Sequence, residues 1–374
     1  MAENPTNPFA KSGGVNAGVG GPADTKPRFP PVTLPSKIQS HNSHHPIMAP
    51  GHAMASGIDP QSSNTGLVNT SHLIAPAQPY RQPQDEEYQH TGSTIPDPIA
   101  VWENGRSFHG YKEGKYFFPN DAKEQDRLDL QHKLWTMALD NSLGWAPVGD
   151  APSNVLHVGT GTGIWAVDFA EEHPLSNVIG TDLSLIQPPN KPENCHFFLD
   201  DIEEEWIFEM PFDNVHLRLM VSCFNRPKDV MAKILDHLRP GGWVEYHDTV
   251  FDLSCVDDTM QGTALRRWCD LMIAGAANLG RNLNVTKQYK DWMVELGFVD
   301  IIEKKVACPG NSWPVDPHQR ELGRWQAVNT TSSIQGISLR VLQKGLGMSV
   351  DAINELSKQV QADACNRNIH WYCT

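Results

Sequence analysis

Val155-Leu156-His157-Val158-Gly159-Thr160-Gly161-Thr162-Gly163-Ile164-Trp165-Ala166 puts three glycines at alternate positions directly after an apolar run. Four mostly apolar residues, Val155 to Val158, run straight into glycines at 159, 161 and 163. An apolar-periodic run from Ile164 to Ala170 follows and stops before Pro174. That order reads as a buried parallel strand, a tight loop and a helix. Glycines at alternate positions accept positive φ and carry no Cβ, so a ligand can lie directly against the loop and the helix N-terminus. A second apolar strand, Val178 to Gly180, then delivers Asp182, nineteen residues beyond Gly163. A carboxylate there can accept hydrogen bonds from the two hydroxyls of a ribose.

The rival reading is the dinucleotide fingerprint G-x-G-x-x-G, which also places an acidic residue about 20 positions on. Here the third glycine comes one residue early, and Ile164 stands where that fingerprint needs glycine. The spacing suits a nucleoside without a phosphate, of which S-adenosylmethionine (SAM) is the common one. NAD and a purely structural turn are the alternatives.

Outward from this unit, the first 97 residues are rich in Pro, Gly, Ser, Asn and His and show no sustained apolar period. Such a segment buries too little apolar surface to offset chain entropy, so residues 1–97 read as a disordered tail. His41, His44, His45 and His52 fall in it as polar filler rather than metal ligands. No leader-like segment and no apolar run near the roughly 18 residues of a membrane span is found, which leads to the expectation of a soluble intracellular protein with no membrane partner. Seven cysteines without a Cys-x-x-Cys pair point to reduced thiols and no metal site. A formal net charge of −14 argues against direct nucleic-acid binding, whose affinity comes mainly from lysine and arginine clusters, and mildly favours a cationic sulfonium ligand.

A cap is expected over 98–150, with a helix starting near Asp121, Asn120 or Asp121 as its N-cap, and Leu128, Leu134, Trp135 and Leu139 as its apolar stripe. It is either a cover for one face of the sheet or a lid whose Tyr116, Arg127 and His132 face cofactor or substrate. The core is placed over 151–310. After Asp182, His196 to Leu199 reads as a third strand ending in Asp200-Asp201-Ile202, where a carboxylate can accept from an adenine amino group. Val215 to Val221 is a fourth strand, Asp229 to Leu238 a helix ended by Arg239-Pro240-Gly241-Gly242, and Trp243 to His247 a fifth strand. Helices over Gly262 to Leu279 and Thr286 to Leu296, a sixth strand over Val299 to Ala307 and a helical region over 311–374 complete the reading. Alternating strands and helices imply a doubly wound α/β sheet of Rossmann type, with ligand loops at the carboxyl ends of the strands. The candidate cofactor site is Gly159, Thr160, Gly161, Gly163, Asp182, Leu183, Asp201 and Ile202.

Several of these segments carry a family likeness: Val155 to Ala166, Gly180-Thr-Asp-Leu-Ser-Leu-Ile-Gln-Pro188, Glu203-Glu-Glu-Trp206, Val215-His-Leu-Arg218 and Leu238-Arg-Pro-Gly-Gly-Trp-Val-Glu245. The cap adds Glu103-Asn-Gly-Arg-Ser-Phe-His-Gly-Tyr111, Glu124-Gln-Asp-Arg-Leu-Asp129 and His132-Lys-Leu134, and Gly262-Thr-Ala-Leu-Arg-Arg-Trp268 follows. Together they resemble the fungal LaeA-like class I methyltransferases over roughly Glu103 to His370. The resemblance implies a SAM-binding nuclear protein, with the cytoplasm as a second compartment, that works with velvet-type regulators to control secondary metabolism and development. Other relatives methylate small molecules.

Two departures from the family pattern stand out. His157 occupies the end of the first strand, where the family carries Asp or Glu for the cofactor's ammonium group. The family's final strand also follows the Ile369-His-x-Tyr372 segment, and here only Cys373 and Thr374 come after it. Bare or directly paired fifth and sixth strands, lower stability and completion by a partner are therefore expected. Methyl transfer is an in-line displacement for which alignment matters most. His109, His132, His216 and His247 are the histidines that could take a proton, and none is assigned as catalytic.

Overall fold

The computed structural model describes residues 95–374. His41, His44, His45, His52 and all of the tail up to residue 94 lie outside the described residues. A short hairpin, β1 (Val101–Glu103) and β2 (Arg106–Phe108), leads into helix α1 (Ala122–Ala138). The α1 N-cap is Asp121, whose carboxylate accepts from the Glu124 amide and also pairs with Arg106 of β2. One side chain therefore ends the helix and ties it to the hairpin.

The central sheet follows: β3 (Asn154–Val158), α2 (Ile164–Glu172), β4 (Asn177–Asp182), β5 (Cys195–Leu199), β6 (Phe212–Arg218), α3 (Pro227–His237) and β7 (Leu238–His247). All five strands are parallel, in the spatial order β5-β4-β3-β6-β7, so the chain reverses direction across the sheet at β3. Alternation along β3 explains the two layers of helices. Val155 packs with Trp165, Ala166 and Phe169 of α2, and Leu156 packs on the other face with Val230 and Ile234 of α3. Arg239-Pro240-Gly241-Gly242, expected only as a helix stop, already lies within β7, where a bulge separates the pairs Phe212 with Leu238 and Asn214 with Trp243.

Beyond β7 come β8 (Ser254–Cys255), α4 (Ala264–Asn278), α5 (Tyr289–Leu296), β9 (Cys308–Pro309), α6 (Pro317–Leu346), α7 (Val350–Cys365) and β10 (Trp371–Cys373). α4, α6 and α7 share a core around Trp268, Met272, Leu342, Ile353 and Trp371. Tyr289 of α5 is buried with Met231 of α3, and Trp292, Met293 and Leu296 pack against them, which is the packing face expected of that helix.

Two expectations about the end of the chain are corrected. Residues 299–307 form no strand; Val299 and Ile302 are exposed, and only Cys308–Pro309 enters a ladder. The last residues, expected to continue a helical region, form a strand in a small separate sheet, while β7 keeps the open edge expected of the fifth strand. Trp371 pairs with Cys255 and Tyr372 with Pro309, so β10 runs antiparallel between β8 and β9. Three residues suffice because β8 and β9 are themselves two residues long, and Trp371 is fully buried in the α4-α6-α7 core. The two corrections share one cause: a strand forms only where a ladder partner exists, and β10 reaches β9 but not 299–307. In the five-stranded sheet β7 is left as an edge strand.

Candidate functional site

The carboxyl ends of the strands open into a cleft of about 1550 Å³. Its lining includes Gly159, Thr160, Gly161, Asp182, Leu183, Asp201 and Ile202, contributed by the ends of β3, β4 and β5. A doubly wound sheet places its ligand at this edge, beside the strand where the order reverses.

The three loop glycines have φ values of +65°, +57° and +83° at 159, 161 and 163. Their packing is more specific than ligand approach alone. A Cβ at Gly159 would lie 2.4 Å from Met220 Sδ, and one at Gly163 would lie 2.6 Å from Phe197 Cζ. Two of the glycines thus admit side chains from the segment after β6 and from β5, and Gly163 is not part of the cleft lining. Gly161 is different, because a Cβ there would meet only Leu128 at 3.5 Å. Its amide donates to Asp182 Oδ2 at 2.8 Å, while the Ser184 amide donates to Oδ1 at 2.9 Å. Burial pushes Asp182 up to about 6 despite these donors. Two bonds leave lone pairs on the carboxylate for two hydroxyl donors.

Asp201 is buried at the end of β5 and forms an ion pair with Lys115 of the cap, which also lies 3.2 Å from Glu203. The Glu203 amide takes the other Asp201 oxygen at 3.0 Å. Asp201 therefore stands at the expected place with both oxygens partnered inside the protein. Lys115 was not singled out in the sequence; its position beside Tyr116 is the only local signal it gives.

The cap contributes directly to the cleft. Tyr116 and Arg127 line it. Arg127 is held by Glu124 at 2.7 Å and by Asn329 of α6 at 2.9 Å. Thr162 of the glycine loop donates to Asp129 of α1 at 2.7 Å, so α1 is fastened to the loop itself. His132 departs from the expected lid role. Its ring lies outside the lining, with Nε2 2.8 Å from Asp168 and Nδ1 3.1 Å from Arg218. An arginine can only donate, so Nδ1 accepts and Nε2 carries the proton.

His157 lines the cleft, with Nδ1 2.9 Å from Thr160 Oγ1 and a buried Nε2 that has no protein partner. Burial holds it well below the usual histidine range, so the ring is neutral. It belongs to a row of imidazoles across three strands. His216 stacks on Trp165 at 3.9 Å and contacts His247 Nδ1 at 3.1 Å, and His247 Nε2 meets Glu245 at 2.8 Å. His109 has both ring nitrogens committed to the backbone of Tyr111 and Tyr116. Of His109, His132, His216 and His247, only His247 lines the cleft, and its nitrogens are taken by His216 and Glu245. Asp248, not anticipated from the sequence, also lines the cleft. It accepts from Tyr289 at 3.0 Å and from the Thr249 amide at 3.1 Å, and burial pushes it up to about 7.

The residues present fit a SAM nucleoside: a glycine loop with an open face at Gly161, a carboxylate with spare acceptors, and an orphaned imidazole nitrogen at the strand end. Among the described residues no cluster of His, Cys, Asp or Glu could hold a metal, and no helix is long and apolar enough to cross a membrane.

Comparison with known proteins agrees with this geometry. Residues 124–302 match the family described as "Methyltransferase domain". The chain is 33% identical over 359 residues to "Secondary metabolism regulator laeA" of Aspergillus niger, covering 91% of this chain and 93% of that one. It is 38% identical over 277 residues to "Protein-methionine methyltransferase laeA" of Emericella nidulans, covering 72% and 73%. "Methyltransferase pytC" of Aspergillus terreus is 34% identical over 271 residues, covering 72% of this chain and 84% of its own.

Proposed function

From the premise that this chain belongs to the LaeA-like SAM-dependent methyltransferases, we propose that it regulates secondary metabolism and development from the nucleus, in a complex with velvet-type proteins, with the cytoplasm as a second compartment. The observation that supports the regulatory reading most is the likeness to a regulator along 93% of that regulator's length. A net charge of −14 fits a protein that reaches chromatin through partners rather than by gripping DNA.

The cofactor supplies an electrophilic methyl group on a sulfonium. The chain's task is to bind, align and exclude water. In this reading Asp182 accepts the ribose hydroxyls and the Gly161 face receives the nucleoside. His157 Nε2 accepts from the ammonium group in place of the family's carboxylate, a role open to it because the ring is neutral. Asp201, held by Lys115 and the Glu203 amide, would accept from the adenine amino group. The cap residues Tyr116 and Arg127 close the opposite wall, leaving the acceptor to enter beside Met220, Ser222 and Asp248 at the ends of β6 and β7.

For the acceptor, a protein thioether is favoured by the name of the Emericella relative and by the site's histidines. Methylating a thioether releases no proton, and none of the four candidate histidines offers a free nitrogen to the cleft. The second reading, methylation of a small metabolite, is supported by the likeness to pytC. Deleting the gene separates the two. The regulatory reading expects several secondary-metabolite pathways to change together, and the tagged protein to retrieve a velvet-type partner from nuclear extract. Loss of a single methyl group from one metabolite, with no partner retrieved, would overturn it in favour of the biosynthetic reading.

A further inference from the structure

β9 and β10 set two thiols side by side. Cys308 and Cys373 are direct register partners in this antiparallel pair, with Pro309 opposite Tyr372. The Gly310 amide donates to the Trp371 carbonyl at 2.9 Å. Hydrogen-bonded pairs recur at every second residue, so Cys308 and Cys373 occupy the same kind of position, where Cα atoms stand about 5.5 Å apart. Disulfides form at Cα separations of about 4.4 to 6.8 Å. Register partners also point to the same face, so neither side chain has to cross the sheet.

The two side chains lie on neighbouring strands of one ladder. Cys308 Sγ lies 3.9 Å from the Pro309 carbonyl and Cys373 Sγ 3.7 Å from the Cys308 carbonyl, so each thiol donates to the backbone of β9. The neighbouring Cys308 side chain holds the Cys373 thiol below the ordinary thiol range, and Cys373 pushes Cys308 up. Both residues are half-buried and both belong to the cleft wall. The other cysteines are differently placed. Cys195 and Cys269 are buried, burial pushes the Cys223 thiol up, and Cys365 is exposed at the end of α7. Cys255, on β8, faces Trp371 in the ladder rather than a cysteine.

We propose that Cys308 and Cys373 form a reversible redox site which hydrogen peroxide oxidises to a cross-strand disulfide, fastening β10 to β9. The Cys373 thiolate attacks one peroxide oxygen and the O–O bond breaks, giving a sulfenic acid and hydroxide. The Cys308 sulfur then attacks the sulfenic sulfur, the S–O bond breaks, and water leaves with the thiol proton. In total, two thiols are oxidised, one peroxide is reduced and two waters form. Trp371, Tyr372 and Thr374 form part of the cleft wall, so the bond fixes the segment that closes one side of the methyltransferase site.

The test treats the reduced full-length chain with a small excess of hydrogen peroxide. The expected result is a loss of two titratable thiols, a cross-linked peptide pair containing Cys308 and Cys373 that is two hydrogens lighter, and reversal of both by dithiothreitol. The oxidised chain should also melt at a higher temperature. Cys373→Ser and, independently, Cys308→Ser should each abolish the cross-link, while Cys365→Ser should leave it intact. Sulfinic acid at Cys373 without a cross-link, a cross-link to Cys255, or a disulfide that leaves the melting temperature unchanged would each overturn the proposal.

Discussion

Asp182 shows how a single side chain sets a measurable property of the site. Its folded value of about 6 lies above the ordinary 3.8 because burial penalises the charged form more than the Gly161 and Ser184 amides stabilise it. Ribose hydroxyls donate, so they need the ionised carboxylate, and lowering the pH through about 6 must weaken binding. Calorimetry with S-adenosylhomocysteine from pH 8 to pH 5 should show affinity level at the high end and falling toward tenfold per unit below 6. Asp182→Ala should cost about 1 to 3 kcal/mol at pH 7.5 and remove that pH dependence. His157→Asp should tighten binding by restoring an ionised acceptor beside Arg218; an unchanged affinity would show that the ammonium group is held elsewhere. At this scale the sequence was informative about which residues gather and less so about what holds them. Asp182 follows the glycine loop closely, and both lie in one strand-helix-strand unit. The pairing of Asp201 with Lys115, and of His132 with Asp168 and Arg218, joins segments far apart in the chain, and no spacing rule reaches that far.

At the scale of elements, β3, the glycine loop, α2 and β4 were legible because their order depends on short-range patterning: apolar runs, glycines and a stop before Pro174. The reason Gly159 and Gly163 must be glycine was hidden, since it comes from Met220 after β6 and Phe197 of β5. Gly163→Ala combines a φ of +83° with a 2.6 Å contact to Phe197, and urea unfolding should show a loss of about 1 to 3 kcal/mol. The short β10 was missed because three residues give no usable alternation, and 299–307 read as a strand because its apolar residues are real but unpaired. Trp371→Ala tests the closure of the small sheet. A fully buried tryptophan in the α4-α6-α7 core should cost about 3 to 5 kcal/mol, and a loss below 1 kcal/mol would mean that β10 is not needed there. The end of β7 gives a second pH effect. Asp248 at about 7 in the fold and 3.8 as its ordinary value means the folded chain keeps a proton that the unfolded chain releases. Its contribution to stability therefore declines as pH rises from about 4 to about 7. Asp248→Asn should flatten the pH dependence of the urea midpoint across that window.

In the whole molecule, strand ends, cap and helix α6 surround a cleft lined by the glycine loop and Asp182. Composition bounded what the protein does without naming its acceptor, because net charge and cysteine usage report on partners and environment while the acceptor is chosen by cleft shape. The most direct test of the central claim is titration of the full-length chain with S-adenosylhomocysteine and, separately, with NAD. Saturable one-to-one binding of S-adenosylhomocysteine that Asp182→Ala weakens is expected, with no heat from NAD. Tight binding of NAD with none of S-adenosylhomocysteine would contradict it.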